Sequence, residues 1–123
     1  MDPRHLTGAA VETAALKYLR RRGLRLLTRN FRCRRGEIDL IMRARTQRQD
    51  TLVFVEVRYR SNPGYGGAAA SISKAKIQKI RQTAALYLQQ HPTYAHLPAR
   101  FDVIAARGRS DDLELTWLQR AFE

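Results

Sequence analysis

The chain is poor in cysteine, in long apolar runs and in acidic residues. Its single cysteine, Cys33, excludes an internal disulfide and a thiolate zinc cluster within one chain, and we interpret it as an incidental, half-buried strand residue. The longest apolar runs fall far short of the roughly 20 residues needed to cross a bilayer. Residues 1–7 lack the apolar centre of a secretory signal. We therefore expect a cytoplasmic protein that does not enter a membrane.

The shortage of acidic residues leaves a strongly basic chain. Its 11 Asp and Glu residues are set against 23 Lys and Arg residues, which gives a net charge of +12. This excess favours nucleic acid as a partner, because phosphates exchange condensed counterions for basic side chains. Scattered surface charge and binding to acidic lipid headgroups are the alternatives that composition leaves open. At this length we expect residues 1–123 to form a single domain.

Hydrophobic periodicity predicts two helices and five strands. The predicted helices are Leu6–Arg22, where Ala10, Ala14, Tyr18 and Leu19 recur at helical spacing, and Ser71–Gln90, where Ile72, Ala75, Ile80, Ala84 and Leu88 can face inward. The predicted strands are Leu24–Phe31, Gly36–Met42, Thr51–Tyr59, Arg100–Ala106 and Leu113–Leu118. This order predicts an α/β protein in which helices cover a mixed sheet.

Two carboxylates, Asp39 and Glu56, lie inside strand-forming runs. Side chains alternate along a strand, so Glu56 and Arg58 share one face, and a neighbouring strand can bring Asp39 beside them. Carboxylate oxygens suit Mg²⁺ or Mn²⁺, and a cation can stabilise phosphate charge, so the pattern is typical of metal-assisted phosphodiester cleavage. From spacing alone, the alternative that both carboxylates face solvent or pair with arginines stays open.

Several motifs, in this order, resemble the YraN family of predicted endonucleases: Gly36-Glu37-Ile38-Asp39-Leu40-Ile41, Phe54-Val55-Glu56-Val57-Arg58-Tyr59-Arg60, Tyr65-Gly66-Gly67-Ala68-Ala69-Ala70 and Arg100-Phe101-Asp102-Val103. The resemblance runs from about Gly8 to Phe122. That family is related to archaeal Holliday-junction resolvases and to the PD-(D/E)XK nucleases. The resemblance implies a restriction-endonuclease-like fold, an αβββαβ core plus a final strand, and an endonuclease acting on branched or structured DNA. Because related resolvases act on two strands, it is also compatible with a homodimer.

The resemblance also implies roles for individual residues. Asp39 and Glu56 would be the motif carboxylates that bind Mg²⁺ or Mn²⁺. The backbone carbonyl of Val57 would complete the metal shell, and Glu12 would approach from the first helix unless it is an ordinary exposed residue. Arg58 stands where the motif has lysine, and since arginine stays protonated it can clamp phosphate but cannot readily act as a general base.

Sequence also supports a noncatalytic alternative and suggests further contacts to nucleic acid. If Arg58 only pairs with Glu56, the protein is a nucleic-acid-binding or adaptor module on a nuclease fold. The candidate nucleic-acid contacts are Arg60, Tyr65, Lys74 and Lys76. The two lysines lie near a helix start, where the helix dipole attracts phosphate, and the tyrosine can stack on an unpaired base. Solvated charges and a ring packed over its loop are the alternatives.

Overall fold

A computed structural model describes residues 7–60, 72–109 and 112–123. The α-helices and strands in this part of the chain are α1 (Gly8–Arg21), β1 (Leu24–Cys33), β2 (Gly36–Ala44), β3 (Thr51–Arg60), α2 (Lys74–Gln90), β4 (Ala99–Arg107) and β5 (Glu114–Phe122), and a short 3-10 helix, Pro92–Tyr94, follows α2. All seven predicted elements are present in the predicted order. The largest difference at an end is in β5, which continues to Phe122 instead of stopping at Leu118.

The five strands form one mixed sheet in the order β1-β2-β3-β4-β5. Neighbouring strands are antiparallel except β3 and β4, which are parallel. A parallel pair needs a long crossover connection, and α2 lies in the connection between these two strands. The predicted mixed α/β architecture is therefore confirmed. No helix among the described residues is long and apolar enough to cross a membrane.

The sheet separates two apolar clusters, one under each helix. The α1 cluster includes Ala15, Leu16, Leu19, Leu40, Met42, Val53, Val55 and Ile104. The α2 cluster includes Ile38, Ile41, Leu52, Phe54, Ile80, Ala84 and Tyr87. Strand β3 contributes Val53 and Val55 to one cluster and Phe54 to the other, as its alternation predicts. This fixes the face on which Glu56 emerges, because it lies two residues beyond Phe54.

The predicted inner face of each helix was wrong in part. In α1 the buried stripe is Val11, Ala15 and Leu19, spaced four residues apart, whereas Ala10 is exposed. Alanines surround this stripe, so periodicity alone does not identify which of them is buried. With Val11 as part of the buried stripe, the adjacent Glu12 is partly buried.

In α2 the error has a different cause. Ala75 is exposed, and the buried positions include Thr83 and Tyr87. Thr83 can be buried because its hydroxyl donates a hydrogen bond to the Lys79 carbonyl at 2.7 Å. The Tyr87 hydroxyl lies 2.9 Å from the hydroxyl of Thr28 on β1. Polar side chains that satisfy their hydrogen bonds in this way are hard to recognise as core residues from sequence.

Candidate active site

Asp39 interrupts the pairing of β2 with β3. The pairs run from Ala44 opposite Thr51 to Leu40 opposite Val55 and stop there. At the next residue of β2, Oδ2 of the Asp39 side chain accepts a hydrogen bond from the backbone N–H of Val57 at 2.7 Å. A carboxylate therefore takes the place of a backbone carbonyl in the ladder, which fixes its orientation beside β3.

The neighbouring strand is also irregular at this level. Asn30 of β1 lies across from Asp39 and has a φ of 56°. This is the left-handed region, which asparagine adopts more readily than most residues. The ladder of β1 and β2 also shifts register between Leu26 and Thr28. Asp39 thus lies where the pairing of β2 with β3 stops and opposite a left-handed residue of β1.

Asp39 and Glu56 form a buried pair. Their relative exposures are 7% and 5%. Burial, followed by hydrogen bonding with Glu56 and repulsion from its charge, raises the pKa of Asp39 to about 7, although the Val57 N–H acts in the opposite direction. Two close carboxylates titrate as a unit, so near neutral pH the pair retains part of a proton. Such a pair can take up either a proton or a cation.

Lys76 brings a positive charge to this pair from α2. Its Nζ lies 3.2 Å from Oε2 of Glu56, although that oxygen accepts no well-angled hydrogen bond from the described residues. The first turn of α2 is fixed by Ser73, whose side chain accepts a hydrogen bond from the Lys76 backbone N–H at 3.1 Å. The sequence suggested Lys76 as a phosphate contact, whereas the structure places its ammonium group on Glu56.

Glu12 is a third acidic group near the pair. Its side chain is 18% exposed, with Oε1 3.6 Å from Nε of Arg29. Burial, followed by the negative charge of Asp39, raises the pKa of Glu12, so the two carboxylates are close enough to repel. Within the described ranges, however, no cluster of three or more acidic, histidine or cysteine side chains has the spacing of a metal site. Glu12 is therefore a partly buried neighbour of the pair, not an ordinary exposed residue.

Arg29 was missed by sequence reasoning. Its Nη2 donates hydrogen bonds of 2.9 Å to the Ala9 carbonyl and to the Thr13 hydroxyl. These contacts join β1 to the first turns of α1 on either side of Glu12. Nothing in the sequence distinguishes this arginine from the other basic residues, since its role depends on how α1 packs against the sheet.

The remaining candidate residues are spread around the pair. Arg58 is half-buried on β3, two residues beyond Glu56, and Arg60 is the exposed last residue of that strand. Lys74 is exposed on the first turn of α2. Tyr65 lies outside the described residues. Of the predicted residues, the structure therefore brings Asp39, Glu56 and Lys76 together and puts Val57 and Glu12 beside them.

Comparison with known proteins identifies the family. The family described as "Uncharacterised protein family UPF0102" matches residues 11–106, a range that includes Glu12, Asp39, Glu56 and Lys76. The chain belongs to family UPF0102. This is the YraN family that the motifs resemble, so the prediction is confirmed at the level of family.

Relatives in UPF0102 cover almost the whole chain. A UPF0102 protein of Pseudomonas entomophila strain L48 is 49% identical over 94% of this chain and 92% of its own length. One from Janthinobacterium sp. strain Marseille is 51% identical over 98% and 89%, respectively. One from Stutzerimonas stutzeri strain A1501 is 44% identical over 100% and 99%. The names of these UPF0102 relatives state no activity, so a functional assignment rests on the geometry of the site.

Proposed function

We propose that this protein is a metal-dependent endonuclease that cleaves phosphodiesters in branched or structured DNA. The observation that carries the proposal is the buried pair Asp39 and Glu56, placed where regular strand pairing stops and approached by Lys76. A purely structural site would gain nothing from burying two carboxylates against each other, because each raises the cost of ionising the other. A divalent cation removes that cost.

The residues present fit a hard divalent cation such as Mg²⁺ or Mn²⁺. Mg²⁺ is commonly bound by only one or two protein carboxylates, with water and substrate phosphate completing its shell. Asp39 and Glu56 supply that number, and Glu56 Oε2 accepts no hydrogen bond from the described residues. The Val57 carbonyl is a further ligand by family resemblance. When bound, the metal would polarise the phosphate and lower the pKa of a water molecule.

The protein's own side chains orient the site and neutralise charge. Val57 holds Asp39 through its backbone N–H. Lys76 places its ammonium group 3.2 Å from Glu56, and an ammonium group at this position is also suited to neutralise a phosphate oxygen. Arg58, on the same strand face as Glu56, carries a planar fork of donors that is suited to clamp phosphate. The lysine that the nuclease motif has at the position of Arg58 would thus be replaced by one from a helix.

The choice of DNA rests on charge and on the family resemblance. The net charge of +12 favours a polyanion, since phosphate binding releases condensed counterions. The relationship to Holliday-junction resolvases that the motif resemblance implies would favour branched or structured substrates, a restriction-endonuclease-like arrangement of the sheet and a homodimer that acts on two strands.

One observation favours a second function, a noncatalytic nucleic-acid-binding module. Lys76 already lies on Glu56, so a single ion pair and one shared proton neutralise the pair without any metal. In that case the carboxylates would help to hold α2 against β3, and DNA binding would not depend on a divalent ion.

Cleavage assays separate the two functions. Single-stranded, flapped and four-way DNA are incubated with the wild-type protein in Mg²⁺, in Mn²⁺ and in a chelator. We expect metal-dependent cleavage that Asp39→Asn and Glu56→Gln abolish. The matched control is Glu114→Gln, because Glu114 is an exposed carboxylate paired with Arg107 at the far edge of the sheet. Binding of DNA in chelator, with no cleavage of any substrate in either metal, would instead establish the binding module.

A further inference from the structure

A basic groove runs between the β1–β2 turn and the first turns of α2. We call it the hairpin groove; it encloses about 580 Å³ and is lined by residues 32–37 together with Lys76, Lys79 and Ile80. A second concavity of about 360 Å³, between residues 33–35 and the middle of α2, continues it along the helix. None of the described residues that line either concavity is aromatic.

The hairpin groove has an excess of positive charge. Its lining includes Arg32, Arg34, Arg35, Lys76 and Lys79, with Glu37 as its acidic residue. Nε of Arg32 is bound to Glu37 at 2.9 Å. By contrast, Arg34 and Lys79 form no ion pair with any described residue, and Arg35 contacts the neutral amide of Gln82 at 3.4 Å. Three cations of the groove thus have no acidic partner in the described chain, a composition that suits an anion.

The walls of the groove are held by close packing. Gly36 has a φ of 154°, and a Cβ atom there would lie 3.3 Å from Thr83 Oγ1 and 3.5 Å from Cβ of Lys79. Cys33 Sγ also lies 3.6 Å from Thr83 Oγ1. The hairpin can approach α2 this closely because residue 36 has no side chain. The separation of the walls is therefore set by the backbone.

The groove leads to the carboxylate pair. Lys76 lines it and places its Nζ 3.2 Å from Glu56, while Glu37 is two residues from Asp39 on β2. The groove and the proposed catalytic pair therefore share Lys76. Because the lining offers cations without aromatic rings, it suits phosphates more than bases.

We propose that the hairpin groove binds the DNA phosphate backbone and guides one strand past Lys76 to Asp39 and Glu56. The identity of the polyanion rests on the proposed function. Binding through phosphates carries little sequence information, so affinity should vary little with base sequence and strongly with salt.

Charge reversal tests the groove against a matched surface. Arg34→Glu with Arg35→Glu is compared with Arg45→Glu and Arg48→Glu, a pair of exposed arginines beyond the opposite end of β2. Both variants change the net charge equally. Binding of fluorescein-labelled four-way and linear DNA is measured in chelator, so that cleavage does not interfere. We expect the groove variant to bind at least tenfold more weakly and the control to change by less than about threefold. Arg34→Ala with Arg35→Ala should lower the salt slope by about two units.

The native cysteine gives a second readout without any substitution. Cys33 is the only cysteine, is half-exposed in the groove, and has its pKa lowered chiefly by the contact with Thr83, so maleimide should label it near neutral pH. Saturating DNA should slow this labelling at least fivefold, and high salt should restore it. An unchanged labelling rate with DNA bound would contradict the proposal.

The outcomes distinguish this proposal from the proposed function. If the groove variant loses DNA binding while neither the wild type nor any variant cleaves DNA, the groove proposal is supported and the endonuclease proposal is rejected. If both double variants bind DNA equally and Cys33 stays unprotected, the groove is wrong even where cleavage depends on Asp39. If the groove variant binds DNA normally but no longer binds phosphatidylserine vesicles, the groove recognises lipid headgroups and the DNA assignment is overturned.

Discussion

Two buried aspartates in this protein have opposite surroundings. Asp102 on β4 is fully buried, and its carboxylate accepts hydrogen bonds from Nε of Arg100, Nε1 of Trp117 and the backbone N–H of Arg120 at 2.9–3.2 Å. Asp39 on β2 accepts one backbone hydrogen bond and faces the carboxylate of Glu56. Asp102 is surrounded by donors, whereas Asp39 faces a second acid.

This is the difference expected between a structural carboxylate and a functional one. Asp102 supports an irregular stretch of β5, where the β4–β5 ladder shifts register and Arg120 has a φ of 53°. Its donors compensate for burial in the folded state. The Asp39 pair has fewer partners, the Val57 N–H on Asp39 and the Lys76 ammonium group beside Glu56, so its burial makes sense if a divalent cation joins it during function.

We expect the largest change in the free energy of unfolding from substitution of the structural aspartate, Asp102. Asp102→Ala would leave the half-buried Trp117 N–H and the mostly buried Arg100 without their acceptor. Removing one partner of a buried ionic network costs about 3–5 kcal/mol. We expect the free energy of unfolding, measured in urea at pH 7.5, to fall by that amount. A loss below about 1 kcal/mol would show that Asp102 is not the structural centre of β4 and β5.

In contrast to Asp102→Ala, we expect Asp39→Asn to raise the free energy of unfolding when no metal is present. The folded-state pKa of Asp39 is about 7, above its ordinary value of 3.8. The contribution of Asp39 to the free energy of unfolding should therefore be most favourable below about pH 4 and fall as the pH rises towards 7, because folding in this window requires the pair to take up a proton.

Asparagine keeps an acceptor for Val57 and does not titrate, so at pH 8 Asp39→Asn should be more stable than wild type, on the order of 2–4 kcal/mol. Urea unfolding from pH 4 to 8 in chelator measures this difference. If the curves of the two proteins stay parallel through this window, Asp39 does not titrate as the structure indicates.

A smaller effect sharpens the role assigned to the helix lysine. Lys76→Ala should reduce cleavage about a hundredfold, the scale of losing one preorganised charge-stabilising group, while DNA affinity falls only a few-fold. Lys74→Ala is the matched control, because Lys74 lies two residues earlier on the same helix turn and is exposed. If cleavage falls equally in the two variants, Lys76 contributes only as a general surface cation.

Much of this architecture was predictable from sequence, and the parts that were not share a cause. Alternation along β3 predicted which residues flank Glu56, and the strand runs identified Asp39 and Glu56 as candidates for one site. The position of Lys76 on Glu56 was not predictable, because it depends on where Ser73 starts α2 and on how that helix packs against β3. The role of Asp102 likewise depends on Trp117 and Arg120, which reach it only after β5 pairs with β4. Contacts between elements distant in sequence leave no periodic signal.

Proton release on Mn²⁺ binding tests the central claim most directly. If the buried pair is a metal site that retains part of a proton, Mn²⁺ must displace that proton to bind both carboxylates. Calorimetry at pH 6.5 in buffers of different ionisation enthalpy should show one Mn²⁺ bound per chain with release of roughly half to one proton. Asp39→Asn should abolish this signal, whereas Glu114→Gln should leave it unchanged. Absence of Mn²⁺ binding in the wild type, or equal binding and proton release in Asp39→Asn, would contradict the account.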